Sequence, residues 1–266
     1  MKSPLISITF LYVFVLLSVC QQPRSSKLDA FPSVVTCPGT FPRHQQGLAY
    51  DGRNAIFWSN TRHLTKTDLE GNLLYQVNVA EHHGDLDYYQ GKIYVAVNFG
   101  KFNQEPGKAD NWIYVYDAED LSYITKKPAP EVVHGAGGVA VHDDRVIIVG
   151  GLPVGYEENY VYEYDMDLKY VQRHSIASGY THLGIQCATW SDGGWWFACY
   201  GLRNPDGPGK ILQTDDSFNL VASYDQDEYP NPGFAYGFAG IGDDKFLVTI
   251  DGYGSRKAEL ITSGDF

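Results

Sequence analysis

Basic residues are scarce in this chain. Twenty Lys and Arg stand against 32 Asp and Glu, a formal charge of −12. That balance excludes nucleic acid as a partner, because a phosphate backbone is held by a basic footprint. Beyond residue 30 no stretch keeps a helical period of apolar residues, which excludes a helical bundle. Several local chemistries are missing as well. There is no phosphate-binding loop, no Gly-x-Gly-x-x-Gly after a strand, no nucleophile elbow and no EF-hand loop. The His-Glu-x-x-His and Cys-x-x-Cys metal signatures are also absent, and no Asn-x-Ser/Thr acceptor marks a glycosylated surface.

What is abundant points to strands. The 266 residues include 28 Gly, 20 Tyr and 14% aromatics, a mixture that suits short strands joined by turns. At the start, a single Lys2 precedes an apolar run from Leu5 to Val19. The run is short for a membrane span and reads as a secretory signal. Its end, Leu17-Ser18-Val19-Cys20, resembles a lipoprotein cleavage box, with Val19 where a small residue is usual. The expected organisation is a signal over 1–20, a linker over 21–31 and one domain over 32–266. Such a protein is secreted or periplasmic, with a membrane tether only through lipid on Cys20. Cys187 and Cys199 flank the turn Asp192-Gly193-Gly194 symmetrically. A cross-strand disulfide and a pair of buried thiols both fit that spacing.

Five units succeed one another at roughly 40 to 50 residues, the period of propeller blades. They begin at His44, His82, His134, His182 and Tyr236. Each complete unit carries four short strands, and the second is the most apolar: AIFWS, KIYVAV, RVIIVG, WWFACY and KFLVTI. Strands of that kind are buried on both faces. The first two strands of each unit meet at Asp51-Gly52, Gln90-Gly91, Asp143-Asp144, Asp192-Gly193 or Asp243-Asp244, residues that tolerate the positive φ of hairpin turns. A second acidic turn, starting at Asp68, Asp117, Asp165 or Asp215, joins the third and fourth strands. The last unit lacks its fourth strand, and the segment 32–37, PSVVTC, is a strand without a partner. The expected fold is all-β, a five-bladed β-propeller closed by that N-terminal strand.

In a propeller, the first strand of each blade lines the central channel. The loops leading into it share a face with those between the second and third strands. That face gathers His44, His83, His134, His182 and Tyr236, together with Asp85 and Gln186. It also receives the long loops, above all 98–111, and long loops on a rigid scaffold are where sites are built. Four histidines near one axis fit a metal site for Zn, Mn, Fe or Ni, with Asp85 completing the ligands. They equally fit metal-free acid–base chemistry on a sugar, or hydrogen bonds that only hold blades in register. Arg62, Lys101, Arg203 and Arg256 are candidate contacts for an anionic group. Asn98 and Gln186 offer polar contacts, and Tyr253 offers a ring face for a sugar.

The segments HHGDLDYYQGKIYVAVNFGKFNQ, PEVVHGAGGVAV, GGLPVGYEENYVYEYD and GIQCATW resemble a group of secreted bacterial propeller proteins without an assigned activity. The resemblance covers most of the domain and implies the five-bladed fold. Other five-bladed propellers include glycoside hydrolases acting on arabinans and agar-type sugars, which use Asp and Glu near the channel. Here His predominates at those places, so their catalytic residues do not carry over.

Three functions remain as expectations. The first is a glycan-active hydrolase or lyase whose core is His44, His83, His134 and His182, assisted by Asp85 and Tyr236. The second is a non-catalytic module holding a glycan or a protein on the loop face. The third is a metal-dependent oxidoreductase built on the histidine ring.

Overall fold

The acidic turns set the hairpins as expected. Gln90-Gly91, Asp143-Asp144, Asp192-Gly193 and Asp243-Asp244 all take positive φ at both residues, the geometry of two-residue hairpins whose twist matches the strands. The first turn is longer, and the Asp51 carboxylate closes it by accepting from the amides of Arg53, Asn54 and Ala55 at 2.8, 2.8 and 3.0 Å. In the second set of turns a left-handed residue follows the aspartate: Gly71, Leu121, Leu168 and Phe218. The last three are buried, so a plug of apolar side chain offsets the strain of their backbone.

The computed structural model describes residues 31–201, 209–226 and 233–266. The expected signal, nearly all of the expected linker, Cys20 and Arg203 lie outside the described residues. Seven strands form one sheet in chain order: β2 (Gly47–Tyr50), β3 (Ala55–Ser59), β4 (Thr61–Asp68), β5 (Leu73–Tyr89), β6 (Lys92–Asn98), β7 (Asn111–Asp117) and β8 (Tyr123–Pro128). The 17-residue β5 is the outer strand of the first unit and runs on as the inner strand of the second. It pairs with β4 through Val77↔Leu64 and with β6 through Leu86↔Val95.

The next sheet holds β9 (Ala136–His142), β10 (Arg145–Gly150), β11 (Asn159–Tyr164) and β12 (Tyr170–Ile176). A third sheet holds β13 (Ile185–Ser191), β14 (Gly194–Cys199), β15 (Lys210–Thr214) and β16 (Leu220–Asp225). The last sheet holds β17 (Phe238–Gly242), β18 (Lys245–Asp251) and β19 (Lys257–Thr262), with β1 (Val34–Thr36) on its edge through Val35↔Ala258. All strand pairs are antiparallel, and no α-helix occurs among the described residues.

Burial follows the expected order of strands. The second strands β3, β10 and β14 are almost wholly enclosed, whereas the outer strands β8, β12 and β16 are mostly exposed. The apolar core is divided between facing sheets. One cluster joins Phe57 and Leu64 to Leu86 and Val95, the next joins Tyr94 and Val115 to Val139 and Tyr162, and another joins Ile147 to Trp195 and Phe197. A fourth joins Trp196 to Phe238 and Phe246, and the fifth joins Leu247 and Val35 to Leu48 and Trp58. The inner strands pack in the same order, β2 on β5, β5 on β9, β9 on β13, β13 on β17 and β17 on β2. The result is an all-β, propeller-like arrangement of facing sheets.

The cysteine alternatives resolve in favour of thiols. Cys187 lies opposite Ala198 and Cys199 opposite Ile185, because a bulge shifts the register between Ile185 and Cys187. Their side chains enter different clusters, and Cys37, Cys187 and Cys199 are all free and buried. No disulfide links the two arms of that hairpin.

Candidate functional site

The inner strands approach one another so closely that only glycine fits between them. A Cβ on Gly84 would lie 2.6 Å from the Gly137 carbonyl oxygen, and one on Gly137 would lie 2.8 Å from that of Ile185. These small residues leave a cavity of ≈ 200 Å³ at the ends of the inner strands. His82 and Gly84 of β5, Ala136 and Gly137 of β9 and Gln186 of β13 line it, with Asn98 at the end of β6. Loops complete it: His44 before β2, Gly100 and Phe102 from the segment between β6 and β7, and Tyr200 after β14. The expected face, where strand starts meet long loops, is therefore the face that holds the cavity.

His44 is held in one tautomer. The Thr61 hydroxyl donates to the His44 carbonyl at 3.0 Å and accepts from the Gln46 amide at 3.2 Å. The same Gln46 Nε2 lies 3.0 Å from His44 Nε2, and Gln186 Nε2 donates to Gln46 Oε1 at 3.0 Å. With an amide N–H directed at it, His44 Nε2 is the acceptor, and the ring proton sits on Nδ1. Burial, with His82, Arg256 and Arg43 nearby, lowers the His44 pKa to about 4. The ring is thus neutral near pH 7. It packs against Tyr236 and Tyr253, each centroid 5.3 Å away, and those two rings meet each other at 5.3 Å. Phe102 and Tyr200 face each other at 6.4 Å, and burial raises the Tyr200 phenol well above its usual range.

The other expected histidines do not reach the cavity. His83 is fully buried, its Nδ1 2.7 Å from the Ala80 carbonyl and its Nε2 2.7 Å from the Tyr116 hydroxyl. Burial lowers its pKa to about 4, and its role is to tie β5 to β7. His134 is 2% exposed and donates from Nδ1 to the Gln104 carbonyl at 2.9 Å, while its own carbonyl accepts from Asn103 at 2.8 Å. It fastens the segment 98–111. His182 is half-buried in the loop before β13 and is not among the lining residues. Among the described residues no group of three or more His, Cys, Asp or Glu is placed to hold a metal ion. The ligand set His44, His83, His134 and His182, expected for Zn, Mn, Fe or Ni, is therefore not assembled. The first three are spent on separate hydrogen-bond networks.

The charged candidates are similarly engaged. Asp85 is fully buried, and its Oδ2 accepts from the Ala188 amide of β13 at 3.0 Å, so it bridges two inner strands. Burial raises its pKa well above the usual carboxylate value. Two residues on, Asp87 accepts from the Val141 amide at 2.8 Å, and enclosure raises it to about 7. Arg62 is paired with Glu81, which also holds Arg43 at 3.0 Å. Asn98 accepts from the amides of Gly100 and Asp110 at 2.9 and 3.1 Å and shapes its own loop while lining the cavity. Arg256 is fully buried, donating to Asn60 Oδ1 at 3.0 Å and to the carbonyls of Gly254, Phe41 and Arg43. It is a clasp between chain segments and does not face a ligand. Lys101 is exposed on the loop, outside the lining.

Gln46, Phe102 and Tyr200 carry much of the site and were not among the expected site residues. Phe102 lies in the longest loop, and Gln46 stands two places from His44; those positions were the available signals.

No family model and no curated protein matches the chain. Several solved structures are similar to it. The chain is similar to the RRP9 WD40 repeats at 10% identity and TM-score 0.50, over 86% of this chain and 82% of that one. It is also similar to the Pan2 WD40 domain of Neurospora crassa, at 12% identity and TM-score 0.43 over 81% and 62%. A luciferin-regenerating enzyme matches at 11% identity and TM-score 0.43 over 85% and 93%. The likeness to the RRP9 repeats supports a propeller-type fold and reaches no further.

Proposed function

We propose that the chain binds the uncharged end of a carbohydrate in the cavity at the ends of the inner strands and holds it without cleaving it. One observation carries this reading: the lining consists of rings, side-chain amides, two imidazoles and bare backbone, with no carboxylate, ammonium or guanidinium among the described residues. Sugar C–H faces pack on rings such as Phe102 and Tyr200. Sugar hydroxyls match amides such as Asn98 and Gln186, and the Nδ1–H of His44 offers a fixed donor. At ≈ 200 Å³ the cavity is smaller than the usual small-molecule pocket, which suits a terminal sugar unit. A neutral sugar fits this lining better than the anionic one expected from the arginines.

Hydrolysis or elimination needs an acid–base pair at the scissile bond. Asp85 and Asp87, on the same strand as His82 and Gly84, already accept from backbone amides of other sheets. The same reading takes the five four-stranded units as blades of a ring closed by β1. The β1–β19 pairing and the cluster that joins Leu247 to Trp58 support it. It also takes residues 1–20 as an export signal, on their composition, which places the site where glycans are met. The test is a glycan array probed with the purified domain and with His44→Ala and Tyr200→Ala. The reading expects a narrow set of neutral glycans, lost in both variants. Binding only to acidic glycans, or binding indifferent to both variants, contradicts it.

A further inference from the structure

The lateral interfaces between successive units are closed by different devices, and one is left open. Between the first and second units, Lys66 donates to the carbonyls of Ala118 and Glu119 at 2.8 and 3.0 Å. Between the third and fourth, Arg145 reaches from the start of β10 to the Asp216 carboxylate in the β15–β16 turn, lying 5.3 Å over the Trp195 ring. Between the fourth and fifth, Phe266 packs on Trp196 and Tyr224 at 5.6 Å each.

Between the second and third units, Lys92 opens β6 as Arg145 opens β10. The position equivalent to Asp216 is Met166. Each follows a turn aspartate that accepts the amide two residues on, Asp165 from Asp167 and Asp215 from Ser217, both at 2.9 Å. Lys92 therefore meets no carboxylate at that position. A groove of ≈ 350 Å³ opens there, lined by Lys92, Lys127, Lys169 and the Asp167 paired with it, above an apolar floor that includes Tyr94, Val115 and Leu168. The floor belongs to the apolar cluster between those sheets. Lys169 pairs with Asp167 at 3.2 Å, a contact about three-quarters exposed on both sides. Lys92 and Lys127 have no ion pair or side-chain hydrogen bond among the described residues. Three lysines around one apolar groove stand out in a chain of charge −12.

We propose that this groove binds a small amphipathic carboxylate, a single carboxylate on a short alkyl chain. Its head group takes at Lys92 and Lys127 the place that Asp216 fills for Arg145, and its tail covers the Tyr94–Leu168 floor. A charge-assisted contact sets the head group, and burial of methylenes adds the remainder. The groove is separate from the mouth cavity, so the two proposals stand or fall independently.

The test is a titration of the full chain with octanoate, followed by amide shifts in two-dimensional NMR. Octyl glucoside serves as the uncharged control, and Lys92→Ala, Lys127→Ala and Met166→Asp are the variants. Met166→Asp supplies the missing carboxylate internally and leaves every lysine in place, so it reports even if a lysine variant folds poorly. Saturable shifts confined to the groove are expected with octanoate and not with octyl glucoside. Affinity should be about tenfold weaker or less measurable in each variant. No saturable shift, equal binding of the uncharged control, or undiminished binding in Met166→Asp overturns the proposal.

Discussion

Asp87→Asn removes a titrating group from the inner strand β5 and keeps one of its two accepting oxygens. The Asp87 carboxyl accepts from the Val141 and Tyr88 amides, each at 2.8 Å. Enclosure raises its pKa from 3.8 to about 7, and the two amides oppose that rise only in part. The folded chain therefore keeps this proton over a range in which the unfolded chain has lost it. The stability linked to it is fully present below about pH 4 and is lost as pH rises through about 7. At about 1.4 kcal/mol per pKa unit, the whole span amounts to about 4 kcal/mol at most. The residue is half-buried, and solvent at its open edge reduces the figure, so about 2–3 kcal/mol is expected between pH 4.5 and pH 8. Asn keeps a carbonyl oxygen for Val141 and does not ionise. Guanidinium unfolding of both proteins at the two pH values gives the difference directly. Other titrating groups are shared and cancel, apart from Asp85, whose raised pKa owes a smaller part to the Asp87 charge itself. The native protein should lose about 2–3 kcal/mol more than the variant on going to pH 8. Parallel losses in the two proteins refute a proton held at Asp87.

Two further outcomes follow from buried groups. Arg256→Met keeps the apolar stem but strands the Asn60 and carbonyl acceptors. A loss on the order of 3 kcal/mol should lower Tm by roughly 6–12 °C, and a shift within error in a thermal melt contradicts the clasp. Burial pushes the Cys37 and Cys199 thiols up to about 12 and raises Cys187 well above the usual thiol range. A disulfide-exchange reagent at pH 8 should leave all three unreacted in the folded chain and modify them only after unfolding. Rapid reaction of the native protein contradicts their enclosure.

The fold was legible because its signals are local. Asp143-Asp144 and Asp192-Gly193 need only their own backbone preferences to form hairpin turns, and RVIIVG or KFLVTI shows two-sided burial in composition alone. The histidines were not legible in the same way. Which face a strand residue takes changes with a single shift of register, and β5 carries such a shift between His83 and Leu86. His83 turns into the packing against Tyr114 and Tyr116, while its neighbour His82 lines the cavity. His134 was expected at the site for lying near the mouth, but its hydrogen bonds hold the segment 98–111; Asn98 holds the same segment and also lines the cavity. The Gln186–Gln46–His44 chain joins residues 140 positions apart, a contact that no local pattern announces.

The central claim is a neutral, non-catalytic sugar site with His44 as a fixed donor. Its most direct test is calorimetric titration of the native chain with the neutral oligosaccharide ranked first on the array, paired with Gln46→Leu. Leu removes the amide that fixes the His44 tautomer and leaves the rings of the mouth in place. The titrated sample is then assayed by mass spectrometry for cleaved glycan. Saturable binding by the native chain, weakened about tenfold in Gln46→Leu, with the oligosaccharide recovered intact, is the predicted result. Release of shorter products, or affinity unchanged in Gln46→Leu, would contradict it.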